Sequence, residues 1–299
     1  MKINLFGLLV VTFATLAYSA DRPKITGIDH VAFYTSSPDA NSHLYIRVLG
    51  LTSVLPFETG QTQRYIIGKQ WVGYSPALDS KSTNRMDHAA FATDNAAALA
   101  AYMHEKGIQT TAVTNVASNG SRTFRVKDPE GHTIEFVERS KRPSRVRVGN
   151  PNSISQHMIH VGFIVRNREA EDHFYKDILG FHIYWHGGMQ DNRTDWVAMQ
   201  VPDGTDWLEY MLNIKQNPDL HTTGVMNHIS LGVKDIKQAQ ARLESRGWKP
   251  HGEEHAQMGR DGKWQLNLYE PDQTRIELME FTPAEKPCCS EFTGRHPAE

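Results

Sequence analysis

The chain has 299 residues, 39% hydrophobic and 22% charged, which is ordinary for a soluble globular protein and long enough for two cores. A formal charge of −2 and a pI near 6.7 exclude the basic footprint of a nucleic-acid binder. The only cysteines, Cys288 and Cys289, are adjacent, which excludes a disulfide framework and leaves them idle or paired between chains.

The first twenty residues read as an export signal: Lys2, an uncharged apolar run from Leu5 to Ala17, then small residues to Ala20. The run is short for a span, and no other stretch is apolar enough to cross a bilayer. The expectation is a mature chain released outside the cytoplasm, periplasmic or secreted, with no membrane partner after cleavage.

From residue 21 onward the chain repeats itself. The stretch at 27–51, opening GIDHVAF, matches 158–181, opening MIHVGF, and sets His30 on His160 and Gly50 on Gly180. RMDHAAF at 85–91 matches VMNHISL at 225–231, setting His88 on His228 and Gly107 on Gly247. DPEGHTIEF at 128–136 matches EPDQTRIEL at 270–278, setting Glu135 on Glu277. Each unit opens with a short apolar strand carrying a histidine. A helical stretch ending in glycine follows, as at Leu99, Met103 and Gly107, and then two or three short strands. The predicted unit is βαβββ. Two units make an N-terminal domain at 21–139 and two a C-terminal domain at 157–282. A polar linker lies at 140–156 and a tail at 283–299. The fold class is α+β.

Period-two alternation places Val31, Phe33, Phe91, Val161, Phe163 and Leu231 on one face of the opening strands. The other face carries the histidines, each followed by a small residue: Ala32, Ala90, Gly162 or Ser230. That combination describes a concave surface with room left on it. Glu135, Glu209 and Glu277, each between two apolar neighbours, turn to the same side, where an unpaired carboxylate is costly. In the first unit Gly73 of WVGY stands where Glu209 stands in WLEY. The C-terminal half therefore offers His160, Glu209, His228 and Glu277 to a divalent metal, and the N-terminal half His30, His88 and Glu135. Two imidazoles and a carboxylate with open positions suit Fe(II) oxygen chemistry. Mixed N/O ligation also suits Zn, Ni, Co or Mn.

Paired βαβββ units, a histidine on each opening strand and the DPEGHTIE string together resemble the vicinal oxygen chelate superfamily over residues 25 to 281. That group holds glyoxalase I, the extradiol dioxygenases and the bleomycin-resistance proteins. The resemblance implies an open barrel per domain, a divalent metal, and a small substrate held through two vicinal oxygens. Similarity to the extradiol dioxygenases, with four units in one chain, implies His160, His228 and Glu277 as ligands, with Fe(II) the favoured ion. Their tyrosine falls at Asn267 here, and His251 and His255 are displaced from their histidine. Similarity to glyoxalase I implies all four C-terminal residues as ligands, with Glu209 or Glu277 also the catalytic base of a metal-stabilised enediolate reaction. Bleomycin-resistance proteins imply sequestration without catalysis. The expected function is an extradiol-type dioxygenase, with a glyoxalase-like lyase or isomerase and a binding protein as alternatives. A small molecule is the expected partner, with a homodimer compatible. His182, Tyr184 and His186 alternate on one strand face, which suits acids or bases behind the metal ligands or a solvated face, the latter being the expectation.

Overall fold

The computed structural model describes residues 21–54, 62–76, 81–116, 119–141, 149–252 and 254–299. The expected export signal and positions 142–148 of the linker lie outside the described residues. The first unit runs β1 (Ile25–Thr35), α1 (Pro38–Ser42) widening into a π turn at His43–Val48, β2 (Thr52–Ser53), β3 (Gln63–Ile67) and β4 (Gln70–Pro76). The second runs β5 (Met86–Thr93), α2 (Ala96–Glu105), β6 (Thr114–Asn115), β7 (Arg122–Lys127) and β8 (Thr133–Glu138). The third runs β9 (His157–Ile164), α3 (Arg168–Glu171) with a π turn at Asp172–Ile178, β10 (His182–Gly187), β11 (Trp196–Gln200) and β12 (Trp207–Met211). An extra helix, α4 (Leu220–Met226), precedes the fourth unit. That unit runs β13 (His228–Val233), α5 (Ile236–Ser245), β14 (Gln257–Met258), β15 (Trp264–Tyr269) and β16 (Arg275–Glu280).

Local chemistry explains the helix limits. Asn95 accepts a hydrogen bond from the Ala98 amide at the start of α2, and Asp235 accepts one from Gln238 at the start of α5. Gly107 and Gly247, at φ +81° and +91°, follow the two helices in the left-handed conformation that glycine adopts without strain.

Each half is one eight-stranded mixed sheet, ordered β2-β3-β4-β1-β5-β8-β7-β6 and β10-β11-β12-β9-β13-β16-β15-β14. The opening strands pair antiparallel at the centre, β1 with β5 and β9 with β13. Each is flanked in parallel by the last strand of its own unit. This topology makes the chemistry-bearing strands neighbours. Glu135 sits beside Ala90, Glu209 beside Gly162, and Glu277 beside Ser230, while Gly73 sits beside Ala32. Val31, Phe33, Phe91, Val161, Phe163 and Leu231 are buried in the main core on the opposite face. Each such burial contributes about 1.5–3 kcal/mol.

The halves meet through the loops before β8 and β16. Glu270 accepts hydrogen bonds from Tyr45 (2.7 Å) and Tyr74, both buried. Asp272 accepts from Thr35 and Ser36 and forms an ion pair with the buried Arg85 at 3.4 Å. On the repeat-related seam Asp128 accepts from Tyr175, and Glu130 from the backbone amides of Arg166 and Asn167.

Two expectations need correction. Cys288 and Cys289 are neither idle nor reserved for another chain; they are bonded to each other and close no loop. The β10 face is not simply solvated. Tyr184 is buried against Trp207 and Phe292, because the residues after β16 fold back over it. Within that tail Thr293 bonds the carbonyls of Ile183 and Tyr184, and His296 bonds the Tyr184 hydroxyl.

Candidate metal centres

The seven residues singled out in the sequence form two groups. In the C-terminal half the Nε2 atoms of His160 and His228 lie 3.0 Å apart, their rings edge-on at 87°. Glu277 Oε2 is 3.1 Å from His160 Nε2, and Glu209 Oε2 is 3.5 Å from His228 Nε2 and 3.8 Å from His160 Nε2. In the N-terminal half His30 and His88 repeat the 3.0 Å approach at 88°, with Glu135 Oε2 3.6 Å from His88 Nε2. No carboxylate joins them at Gly73.

The C-terminal donors fit a divalent ion. His228 Nδ1 faces the Met226 carbonyl at 2.9 Å, and a carbonyl only accepts, so the ring proton sits on Nδ1 and the Nε2 lone pair turns inward. Two nitrogens each about 2.1 Å from one ion, at a right angle, lie about 3.0 Å apart. Glu277 Oε2 is buried and, despite its closeness to His160, makes no aligned hydrogen bond among the described residues. The Nδ1 of His160 is likewise without a partner there. Arg275 Nη2 donates to the His228 lone pair at 2.7 Å, so this guanidinium has to yield before an ion can take it.

Gly162 is required at this spot. A Cβ there would stand 2.1 Å from His228 Cε1 and 2.3 Å from its Nδ1. Trp207 lies beside His160 with ring centroids 4.7 Å apart.

Charge is uneven across the centre. Burial drives the His228 imidazole well below its usual range, aided by the charges of Arg275 and His160, so it is neutral. Burial works against an ionised Glu277, but Arg275 and His160 outweigh it and hold that carboxyl low. Burial also pushes Glu209 up, with the neighbouring Glu277 adding to it against the opposing pull of His160.

The sequence did not reveal the groups behind these ligands. Lys263, fully buried, lies over the rings of Trp207 (4.8 Å), Tyr184 and Phe292, and its Nζ is 3.3 Å from the Tyr184 hydroxyl. Burial lowers it to about 8, against the attraction of Asp261, Glu277 and Glu209. The repeat gave no signal for Lys263, because Ser121 stands at its equivalent position in the other half. The Asp-His pairs at 29–30 and 87–88 were a visible signal. Asp29 Oδ1 faces His30 Nδ1 at 2.8 Å, and Asp87 Oδ2 faces His88 Nδ1 at 2.7 Å.

Comparison with known proteins agrees with this architecture. The sequence profile of the glyoxalase/bleomycin resistance protein/dioxygenase superfamily matches residues 27–136 and 157–278. No curated protein matches the chain in sequence. Among solved structures, the 2,3-dioxygenase LapB from Pseudomonas sp. KL28 is similar at 16% identity and a TM-score of 0.61, over 92% of this chain and 95% of that one. Homoprotocatechuate 2,3-dioxygenase from Arthrobacter globiformis is similar at 16% and 0.63, over 91% and 87%. An extradiol ring-cleaving dioxygenase from B. fuscum gives 16% and 0.64, over 92% and 76%. At these identities the likeness is one of fold. With both halves matched by one profile, the chain belongs to the glyoxalase/bleomycin resistance protein/dioxygenase superfamily.

Proposed function

We propose that the protein is a divalent-metal-dependent enzyme whose C-terminal half opens a small aromatic diol in an oxygen-dependent, extradiol-type reaction. The observation that carries this reading is the set of His160, His228 and Glu277, two inward nitrogens 3.0 Å apart and a buried carboxylate 3.1 Å from one of them. The four-unit architecture, shared in fold with two 2,3-dioxygenases and an extradiol ring-cleaving dioxygenase over nearly the whole chain, supports it. Iron(II) is the ion proposed, and zinc, nickel, cobalt or manganese suit the same donors.

A bound ion would supply Lewis acidity to two neighbouring substrate oxygens. The chain supplies the rest. Gly162 makes room for the His228 ring, and Trp207 stands beside His160. The Lys263 ammonium, brought down by burial to about 8, can lend a proton to a substrate oxygen and recover it. Tyr184, 3.3 Å away and bonded to His296, holds the Lys263 Nζ in place, and Phe292 shields it from water.

One observation favours a second reading. Glu209 places a fourth donor, the second carboxylate, within 3.8 Å of both imidazoles, an arrangement suited to moving a proton between adjacent carbons of a 2-oxoaldehyde adduct. Oxygen uptake on a panel of catechols by the anaerobically purified, iron-loaded chain separates the two. Uptake equimolar with catechol, lost in His228→Ala, supports ring opening. No uptake, with turnover of 2-oxoaldehyde adducts, would replace it by proton transfer. An exported location is proposed with it, on the apolar run from Leu5 to Ala17.

A further inference from the structure

The two seams between the halves are built from repeat-equivalent residues, but they are not chemically alike. The second carries a carboxylate and an imidazole, Glu171 and His132, at the positions that Asn41 and Thr274 take in the first. In the first, Tyr45 and Tyr74 both donate to Glu270. In the second, the shorter Asp128 accepts from only one of the two equivalent tyrosines, Tyr175 at 3.2 Å. The hydroxyl of the other, Tyr210, is fully buried and has no hydrogen-bond partner among the described residues.

A second buried oxygen is left over beside it. Glu171 Oε1 accepts from the Glu130 amide at 3.0 Å, while Glu171 Oε2 has no partner there. With or without a proton, such an oxygen is unsatisfied, at a cost of about 1–3 kcal/mol. Charge decides what suits the gap. Donor atoms of Asp128, His132 and Glu171 all lie within 4.8 Å of one another, and carboxylates buried that close call for positive charge. Arg166 and Arg168 do not bring it; they pair with Glu130 at 3.8 Å and Asp172 at 3.4 Å. His132 Nδ1 faces Asp128 at 2.7 Å and leaves Glu171 uncompensated. The His132 ring, stacked on Phe163, also borders a cavity of about 350 Å³ lined by Glu130, Gly131 and Arg166, a route for a small ion.

We propose that Asp128, His132 and Glu171 bind one divalent cation at this seam, of the kind that accepts both carboxylate and imidazole donors, as manganese(II) does. The Tyr210 hydroxyl adds a neutral oxygen beside it. In the ion-free chain Glu171 holds a proton, and the ion takes that proton's place. Because Glu171 comes from the C-terminal half and the other two ligands from the N-terminal half, the ion ties the halves together. None of its ligands belongs to the histidine centres of the two sheets, and it does not depend on the reaction assigned to them.

The test is manganese binding by the full chain, stripped with chelator, titrated with manganese(II) and read by the electron paramagnetic resonance of the unbound ion. Glu171→Gln should bind one equivalent fewer than the parent, however many the parent takes up at its histidine centres. His132→Ala, at a partly exposed position, should lose the same equivalent, and it decides the matter if the glutamine variant does not fold. Tyr210→Phe should keep that equivalent with an affinity about tenfold weaker. In urea unfolding, manganese should raise the midpoint of the parent more than that of Glu171→Gln. Equal stoichiometry in the parent, Glu171→Gln and His132→Ala would overturn the proposal and leave the gap to water. So would a parent that binds no manganese at all. A chain that loses one equivalent in both variants yet consumes no oxygen would end the dioxygenase reading and leave this one standing.

Discussion

His228 can lie flat against the neighbouring strand only because residue 162 has no side chain. Replacing Gly162 with alanine puts a methyl within 2.3 Å of two atoms of that ring and pushes the imidazole off its bearing. Gly162→Ala is expected to weaken metal binding in the C-terminal half by at least about tenfold, the cost of roughly 1.4 kcal/mol of misplacement. Isothermal titration with the cobalt ion, in a background of Glu135→Gln, reads it directly. Lys263 gives a second prediction at this scale. With a pKa of about 8 in its aromatic enclosure, it sets a limb of the pH–rate profile there if it transfers the proton. Lys263→Met keeps the packing and should remove that limb and slow turnover about 10²–10⁴-fold, the usual contribution of such a group. A profile unchanged in shape would return Lys263 to a packing role.

Among the elements, α2 and α5 carry the same signals in both halves: a capping Asn95 or Asp235 and a left-handed Gly107 or Gly247. Each cap satisfies one of the amides a helix start leaves unpaired. Asn95→Ala and Asp235→Ala should each cost about 1 kcal/mol in urea unfolding, with little change in slope. The effects should add, since the two helices belong to different sheets. The opening helices behave differently. Both end in a π turn, at His43–Val48 and Asp172–Ile178, ahead of Gly50 and Gly180. A 3.6-residue period in sequence does not reveal this widened turn.

Across the whole molecule the two seams between the halves bury carboxyl groups that resist ionisation. Glu171 is pushed up to about 8, by burial first and then by the charges of Asp128 and Glu130, against the pull of the Glu130 amide. Burial raises Glu270 to about 7, against hydrogen bonds from Tyr74 and Tyr45. In both, folding favours the protonated form. Their contribution is therefore full below about pH 4.5 and is lost as pH rises through about 7 to 8. Thermal stability should fall across that window. Glu171→Gln cannot ionise, and should flatten the fall and gain about 1–3 kcal/mol at pH 8.5, read as melting temperature against pH. A parallel fall in parent and variant would show that the slope arises elsewhere.

Repetition made the unit and the seven ligand-type residues legible, because a strand's period of two puts His160 and Gly162 on one face and Val161 on the other whatever the fold. The Asp-His pairs could have been read the same way. Lys263, Arg275 and the tail could not. Lys263, just ahead of β15, meets Trp207 on β12 and Phe292 far along the chain, and Arg275 leans from β16 to a histidine on β13. Tyr184 looked solvated because alternation says which side a residue takes, not what later covers that side. Periodicity is a property of the local backbone and survives in the sequence. Burial, tautomer and the company a charge keeps are set by segments that meet only when the chain closes, and those the tertiary structure alone decided.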